Sequence, residues 1–348
     1  DLRGGGGVVT SFKNCIADPG AICTIKGGSS FSGLSASSVD YIAVSNPKKA
    51  AINIYSWGKS QPYVQCHIQE IATAICSDMY GAYLFAGCKS GQMMCWDLRS
   101  GEILSTWVAH YTSIRRVEVS NCSSIVVSAS DDGTIKVWDL HSVVDLCLEV
   151  AYGSNEMIKA FRSYSAHTMP IKGMTLLGYQ ASMRVVTCSL DKKIVIYDVY
   201  TNTTCLKAIF SSSLESVVCN CTEDTIFAGA SNGRIFIVDL TERAIALTAA
   251  HSQIASVGIE GISAISASDS FHENKKGYMS LEGHTSAVTA LAMSIDNTTL
   301  VSASSDCSVR IWDTITRQCL RESKPFHKSP LSNVSHLVRL FRLLLYVS

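Results

Sequence analysis

The chain has 348 residues with 29 basic and 29 acidic side chains, so its formal charge is zero and no strong global field draws it to nucleic acid. Hydrophobic residues make up 47% and charged ones only 17%, which suits many short strands buried on both faces. No apolar run reaches the ~18 residues that a membrane helix needs.

In chain order, GVVTSFK (residues 7–13) and GAICTIK (20–26) read as two strands. AINIYSW then carries Tyr55, QMMCWDL carries Trp96 and TIKVWDL carries Trp138. Each reads as the third strand of a four-stranded unit about forty residues long. KIVIYDV sets Tyr197, RIFIVDL sets Val238 and SVRIWDT sets Trp312 in the same slot. The steps to Tyr197 and Trp312 are longer, which places insertions at about 141–155 and 244–276. At the end, SNVSHLVRL and RLLLYVS read as two further strands, although a short amphipathic helix fits that blurred alternation almost as well.

Three units share a polar pattern. His110, Ser128, Asp132 and Trp138 recur as His284, Ser302, Asp306 and Trp312, and again as His167, Thr187, Asp191 and Tyr197. A buried indole N–H needs an acceptor, and an unpaired buried polar group costs about 1–3 kcal/mol. The hydroxyl can meet the indole, the histidine can reach the hydroxyl, and an aspartate in the tight turn can hold the histidine. The same residue types make a Ser-His-Asp nucleophile, but three copies in register, each ending in an aromatic ring, speak for a scaffold. With a Gly-His start and a Trp-Asp end, the pattern resembles the WD-repeat β-propeller. The expected fold is all-β: one domain over 1–348, a seven-bladed propeller closed by strands from both termini. The seventh blade takes its last two strands from residues 7–13 and 20–26 and its first two from 331–348, which removes the open edge.

The fourteen cysteines lie singly, as at Cys88, Cys95, Cys188 and Cys307, and read as reduced residues within strands. The pair Cys219 and Cys221 reads as facing one side of a strand and lacks a second pair at ligand spacing, so no metal or other cofactor is expected. Asn121, Asn202 and Asn297 begin Asn-x-Ser/Thr triplets, and each is expected in a turn. The chain opens on Asp1 without a signal-peptide pattern, which reads as a fragment of a longer, intracellular protein.

Loops longer than about 12–15 residues in a compact domain are usually functional or disordered, so the two insertions are expected to dock a partner. Arg99, with Phe271 and His272 of the second insertion, belongs to one face. Tyr111, Arg115, Met169 and Lys192 belong to the opposite rim. No glycine-rich phosphate loop and no paired carboxylate motif appears, so no enzymatic activity is expected. WDLR at Trp96–Arg99 resembles the Trp-Asp-x-Arg box of substrate receptors for cullin ubiquitin ligases, the alternative reading.

HTMPIKGM (167–174), RVVTCSLDKKIVIYDV (184–199) and TIFAGASNGRIFIVDL (225–240) resemble the WD-repeat subunit of the Rix complex. That subunit is the counterpart of the one in the animal complex that contains the PELP protein. The early Lys26–Gly28 and a fifth unit without tryptophan, followed by a long insertion, are similar too. The resemblance implies a nuclear, non-catalytic scaffold that joins a helical-repeat subunit, accompanies the pre-ribosomal particle of the large subunit, and supports spacer RNA removal and recruitment of the AAA ATPase midasin. Direct RNA contact is not implied.

Overall fold

A computed structural model describes residues 20–25, 41–46, 49–56, 61–144, 158–165, 167–178, 182–240, 264–266, 278–294, 296–323, 331–337 and 342–347. They form antiparallel meanders, each taken in sequence order. Sheet one holds β1 (Ile22–Ile25), β2 (Tyr41–Asn46), β3 (Ala51–Ser56) and β4 (Val64–His67). Sheet two holds β5 (Ala72–Ser77), β6 (Tyr83–Cys88), β7 (Gln92–Asp97) and β8 (Ile103–Val108). In sheet three are β9 (Ile114–Val119), β10 (Ile125–Ser130), β11 (Ile135–Asp139) and β12 (Arg162–Tyr164). These three make one compact unit, Thr10–Ile171.

The second unit, Lys172–Val347, carries the rest. Sheet four has β13 (Ile171–Leu177), β14 (Arg184–Ser189), β15 (Lys193–Asp198) and β16 (Thr203–Ile209). Sheet five begins with β17 (Leu214–Cys219), β18 (Thr225–Ala230) and β19 (Ile235–Asp239). A short β20 (Ala264–Ser266) then leaves it and pairs in parallel with β16 before β21 (Tyr278–Leu281) completes sheet five. Sheet six holds β22 (Val288–Met293), β23 (Thr299–Ser304), β24 (Val309–Asp313) and β25 (Cys319–Ser323), and a hairpin of β26 (Leu331–Leu337) and β27 (Arg342–Val347) follows.

Burial within a sheet explains the sequence pattern. Inner strands are covered on both faces and read as continuous apolar runs, as in β10, where every residue is buried. Outer strands face solvent, and β25 is exposed over most of its length. All six residues of the third-strand slot, Tyr55, Trp96, Trp138, Tyr197, Val238 and Trp312, are buried. Each such side chain stabilises the fold by roughly 1.5–3 kcal/mol through its apolar surface.

Successive sheets pack where side chains shrink. A β-carbon on Gly87 of β6 would lie 2.5 Å from the Ile114 side chain of sheet three, and one on Gly229 of β18 would lie 2.8 Å from Val288 of sheet six. Hydroxyls seal seams between successive sheets. Ser45 Oγ donates to the Ala72 carbonyl at 2.6 Å, Thr73 Oγ1 to Ile114 at 2.5 Å and Ser216 Oγ to Val288 at 2.9 Å. Each satisfies a backbone acceptor at the start of the next sheet's inner strand.

Several expectations need correction. GAICTIK does not end a seventh blade: Ile22–Ile25 is the first strand of sheet one, in register with Tyr41–Val44. Residues 7–13 lie outside the described residues. The two strands expected near the end do form, as an antiparallel hairpin with Leu331 opposite Val347 and Leu337 opposite Arg342, and the helical alternative falls. The described residues therefore make six sheets and one hairpin. Cys307 sits in the β23–β24 turn, not in a strand, with a φ of 64°. Cys219 ends β17 while Cys221 lies beyond it, so they share no strand face. Among the described cysteines none is bonded to another, and Cys205, Cys221 and Cys319 are exposed. Asn202 and Asn297 do take turns, both with a φ of 58°.

Candidate interaction surface

The polar chains of sheets three and six form at the predicted spacing. Trp138 Nε1 donates to Ser128 Oγ at 3.0 Å, and that oxygen lies 2.8 Å from His110 Nε2. His110 Nδ1 is 2.9 Å from Thr134 Oγ1 and 3.3 Å from Asp132 Oδ2. With the indole proton on Ser128, the serine proton turns to Nε2, which leaves the ring proton on Nδ1 facing Asp132. Sheet six repeats the arrangement: Trp312 Nε1 to Ser302 Oγ at 2.8 Å, Ser302 Oγ to His284 Nε2 at 2.7 Å, and His284 Nδ1 to Asp306 Oδ2 at 3.2 Å.

Both aspartates also bind the turns that carry them. Asp132 Oδ1 accepts from the Thr134 amide at 2.8 Å and its hydroxyl at 2.6 Å, and Asp306 Oδ1 does the same with Ser308. Burial pushes the Asp306 carboxyl up, but the donors of Ser308 and Thr285, with His284 beside it, hold it at about 2. Burial likewise favours neutral imidazole, and it takes His110 down to about 4 and lowers His284. A serine whose oxygen already serves an indole and an imidazole is held in place as a structural link. In the third copy, His167, Thr187 and Tyr197 are buried, Thr187 Oγ1 donates to the Val195 carbonyl at 3.4 Å, and Asp191 accepts from the Lys193 amide at 3.1 Å.

Sheets two and five replace the polar chain as a whole, which the sequence reading missed. Ile68 takes the histidine slot, Ala86 the hydroxyl slot and Trp96 the aromatic slot, and the three share one apolar cluster. Phe210, Ala228 and Val238 do so in sheet five, with the Phe210 and Phe236 rings 5.0 Å apart. The signal was present: an apolar residue stands where histidine is expected in the two units with alanine in the hydroxyl slot. A histidine there would lack its acceptor.

The rim residues converge on one turn. Arg115 Nε meets Asp131 Oδ2 at 2.7 Å, and the Tyr111 amide donates to Asp132 Oδ2 at 3.4 Å. The Met169 carbonyl lies 3.5 Å from where a β-carbon on Gly133 would sit, so three of the four expected rim residues surround residues 131–134. Tyr111 is 91% exposed with Lys136 Nζ 5.9 Å from its ring centre, and Met169 is half-exposed. Lys192 belongs to sheet four and has a φ of 66° in its β14–β15 turn. Arg99 is exposed in the β7–β8 turn, its amide bound to Asp97 Oδ1 at 2.8 Å, at the opposite end of β7 from Gly91. Phe271 and His272 lie outside the described residues.

Of the insertions, residues 140–144 form a helical turn whose Leu140 and Val143 join the cluster around Trp138. In the second, β20 sets Ala264 opposite Lys207 and Ser266 opposite Ile209, which covers part of an outer sheet edge.

Comparison with known proteins agrees with this architecture. The family model described as "WD domain, G-beta repeat" matches residues 101–139 and 275–313, which include both complete polar chains. The chain is 27% identical to WD repeat-containing protein 18 of Danio rerio, over 85% of this chain and 62% of that protein. It is also 27% identical to pre-rRNA-processing protein IPI3 of Scheffersomyces stipitis, over 84% of this chain and 64% of the relative. With pre-rRNA-processing protein crb3/ipi3 of Schizosaccharomyces pombe, identity is 24% over 94% and 71%. The chain thus spans less than two thirds of the length of the first two relatives. Among solved structures, the computationally designed Ika8 protein has the same fold, with a TM-score of 0.60 at 19% identity over 88% of this chain and 80% of that one. Residues 101–139 and 275–313 are thus WD40 repeats, the six described sheets are consistent with a WD-repeat propeller, and the chain is similar over most of its length to WD repeat-containing protein 18 and to the IPI3 pre-rRNA-processing proteins.

Proposed function

We propose that this protein is a non-catalytic scaffold in assembly and pre-rRNA processing of the large ribosomal subunit, acting in the nucleus. The observation that carries the reading is the similarity to proteins named for pre-rRNA processing over more than four fifths of the chain. The polar chains support it from the chemical side, because each serine that could imitate a nucleophile is engaged by an indole and an imidazole. A balanced charge suits docking on proteins more than on RNA phosphates. The insertions at 141–155 and 244–276, Arg99, and the rim around Tyr111 are the proposed contacts for a helical-repeat subunit and a midasin-type ATPase on the pre-ribosomal particle.

Depletion in the source cell should accumulate spacer-containing large-subunit precursor RNA, and normal processing would reject the proposal. Deleting Ser252–Lys276 should leave thermal stability nearly intact while abolishing recovery of the assembly partners in affinity purification. Recovery of a cullin adaptor instead, lost on Arg99→Ala, would replace this reading with that of a ligase receptor.

A further inference from the structure

Between sheets two and three lies an open depression of about 680 Å³. Lys89 comes from the β6–β7 turn, Ser113 and Arg115 from the start of sheet three, Asp131 from the β10–β11 turn, and Ile71 supplies an apolar side. Arg115 gives its Nε to Asp131 Oδ2 at 2.7 Å. Among the described residues, no ion pair or hydrogen bond engages the terminal nitrogens of Arg115 or the ammonium of Lys89. The other carboxylate oxygen, Asp131 Oδ1, and the Ser113 hydroxyl oxygen are both buried and have no hydrogen-bond partner.

Buried polar atoms without partners are destabilising, and a ligand that supplies the missing partners gains what the free protein lacks. The complement of this wall is therefore specific. It needs an anionic acceptor for Lys89 and the free fork of Arg115, and an N–H donor for Asp131 Oδ1, within a few ångströms of each other. A nucleic-acid phosphate brings acceptors only and offers no donor for Asp131 Oδ1. A peptide carrying an aspartate or glutamate brings both, a side-chain carboxylate and a backbone amide. We propose that this depression binds an extended acidic peptide segment of a protein partner, with the carboxylate on Lys89 and Arg115 and a main-chain N–H on Asp131. The proposal rests on the docking reading and narrows it to one seam of the molecule and one ligand chemistry.

The test is a methyl-detected NMR titration of the isolated, isoleucine-labelled chain. The probe is a short acetylated and amidated peptide with one central glutamate between glycines and alanines. The Ile71 methyl signal should shift, and binding should weaken about tenfold when glutamate becomes glutamine or when the protein carries Lys89→Gln, a loss typical of one hydrogen bond to a charged group. Lys89 is exposed in a turn, so Lys89→Gln should fold, which far-ultraviolet circular dichroism checks. No Ile71 shift at millimolar peptide, equal binding of the glutamate and glutamine peptides, or tighter binding of inorganic phosphate or an RNA oligonucleotide would each overturn the proposal. None of these outcomes alters the precursor-RNA phenotype expected on depletion, so the two readings fail separately.

Discussion

The carbonyl oxygen of His167 lies 2.5 Å from the position a β-carbon would take on Gly133, so the β10–β11 turn is seated directly on the backbone that leaves sheet three. Gly91 faces the His110 carbonyl and Gly233 the His284 carbonyl in the same way, closer still. The glycine of one unit and the histidine of the next are thus one joint. Its φ of 77° adds a second reason for glycine at position 133. Gly133→Ala should cost more than about 2 kcal/mol, since backbone strain and displacement of a carbonyl add. Chemical denaturation measures it, and a loss below about 0.5 kcal/mol would show that the turn is free to move away.

Ser302 joins an indole to an imidazole, so Ser302→Ala should orphan both and destabilise the protein by about 2–4 kcal/mol. Adding Trp312→Phe removes one of the orphans. The double variant should then lose less than the sum of the two single losses, and strict additivity would mean that Ser302 and Trp312 are not coupled.

Stability should fall as acid is added well above the carboxylate range. His110 has its folded pKa lowered by burial to about 4, below the ordinary value near 6.5. A depressed histidine binds fewer protons folded than unfolded, so its contribution is complete above pH ~6.5 and is lost as pH falls toward ~4. The loss reaches about 3 kcal/mol for His110, and His284 adds a loss of the same sign. Asp306, held at about 2, contributes stability above pH ~3.8 and loses it only below that. Urea midpoints from pH 7.5 to 4.5 should decline mainly below pH ~6.5, and His110→Gln should flatten that slope.

Cys307 holds a left-handed turn, φ 64°, where Gly91, Gly133 and Gly233 stand in other sheets. An L-residue there costs about 1–2 kcal/mol, and glycine gives back about 0.4–1 kcal/mol through the freer unfolded chain. Cys307→Gly should therefore raise stability by up to about 1 kcal/mol, seen as a higher melting temperature. A lower one would mean that the thiol makes contacts worth more than the strain.

Charge substitution separates the rim from the scaffold. Arg115→Glu should weaken partner capture and also disturb its ion pair with Asp131, whereas Lys192→Glu lies in an exposed turn and should change affinity without changing the melting temperature by more than about 1 °C. Partner affinity measured on both variants decides, and unchanged capture by both would remove the rim from the docking surface.

The sequence alone determined the repeat. The third-strand residues and the complete chains at His110 and His284 depend on local rules: period-two burial, a tight turn, and an indole that must find an acceptor within one sheet. Those rules act over a single unit, so spacing suffices to read them. It could not decide that Ile22–Ile25 starts sheet one, because an apolar four-residue strand carries no mark of the sheet that takes it. Nor could it place β20 on β16, a parallel pairing set by backbone groups and the reach of an insertion. The depression at Lys89, Ser113, Arg115 and Asp131 was invisible for a related reason. Its members lie on two turns and one strand start, and only the packing of sheet two on sheet three, through Gly87 against Ile114, brings their charges to one place.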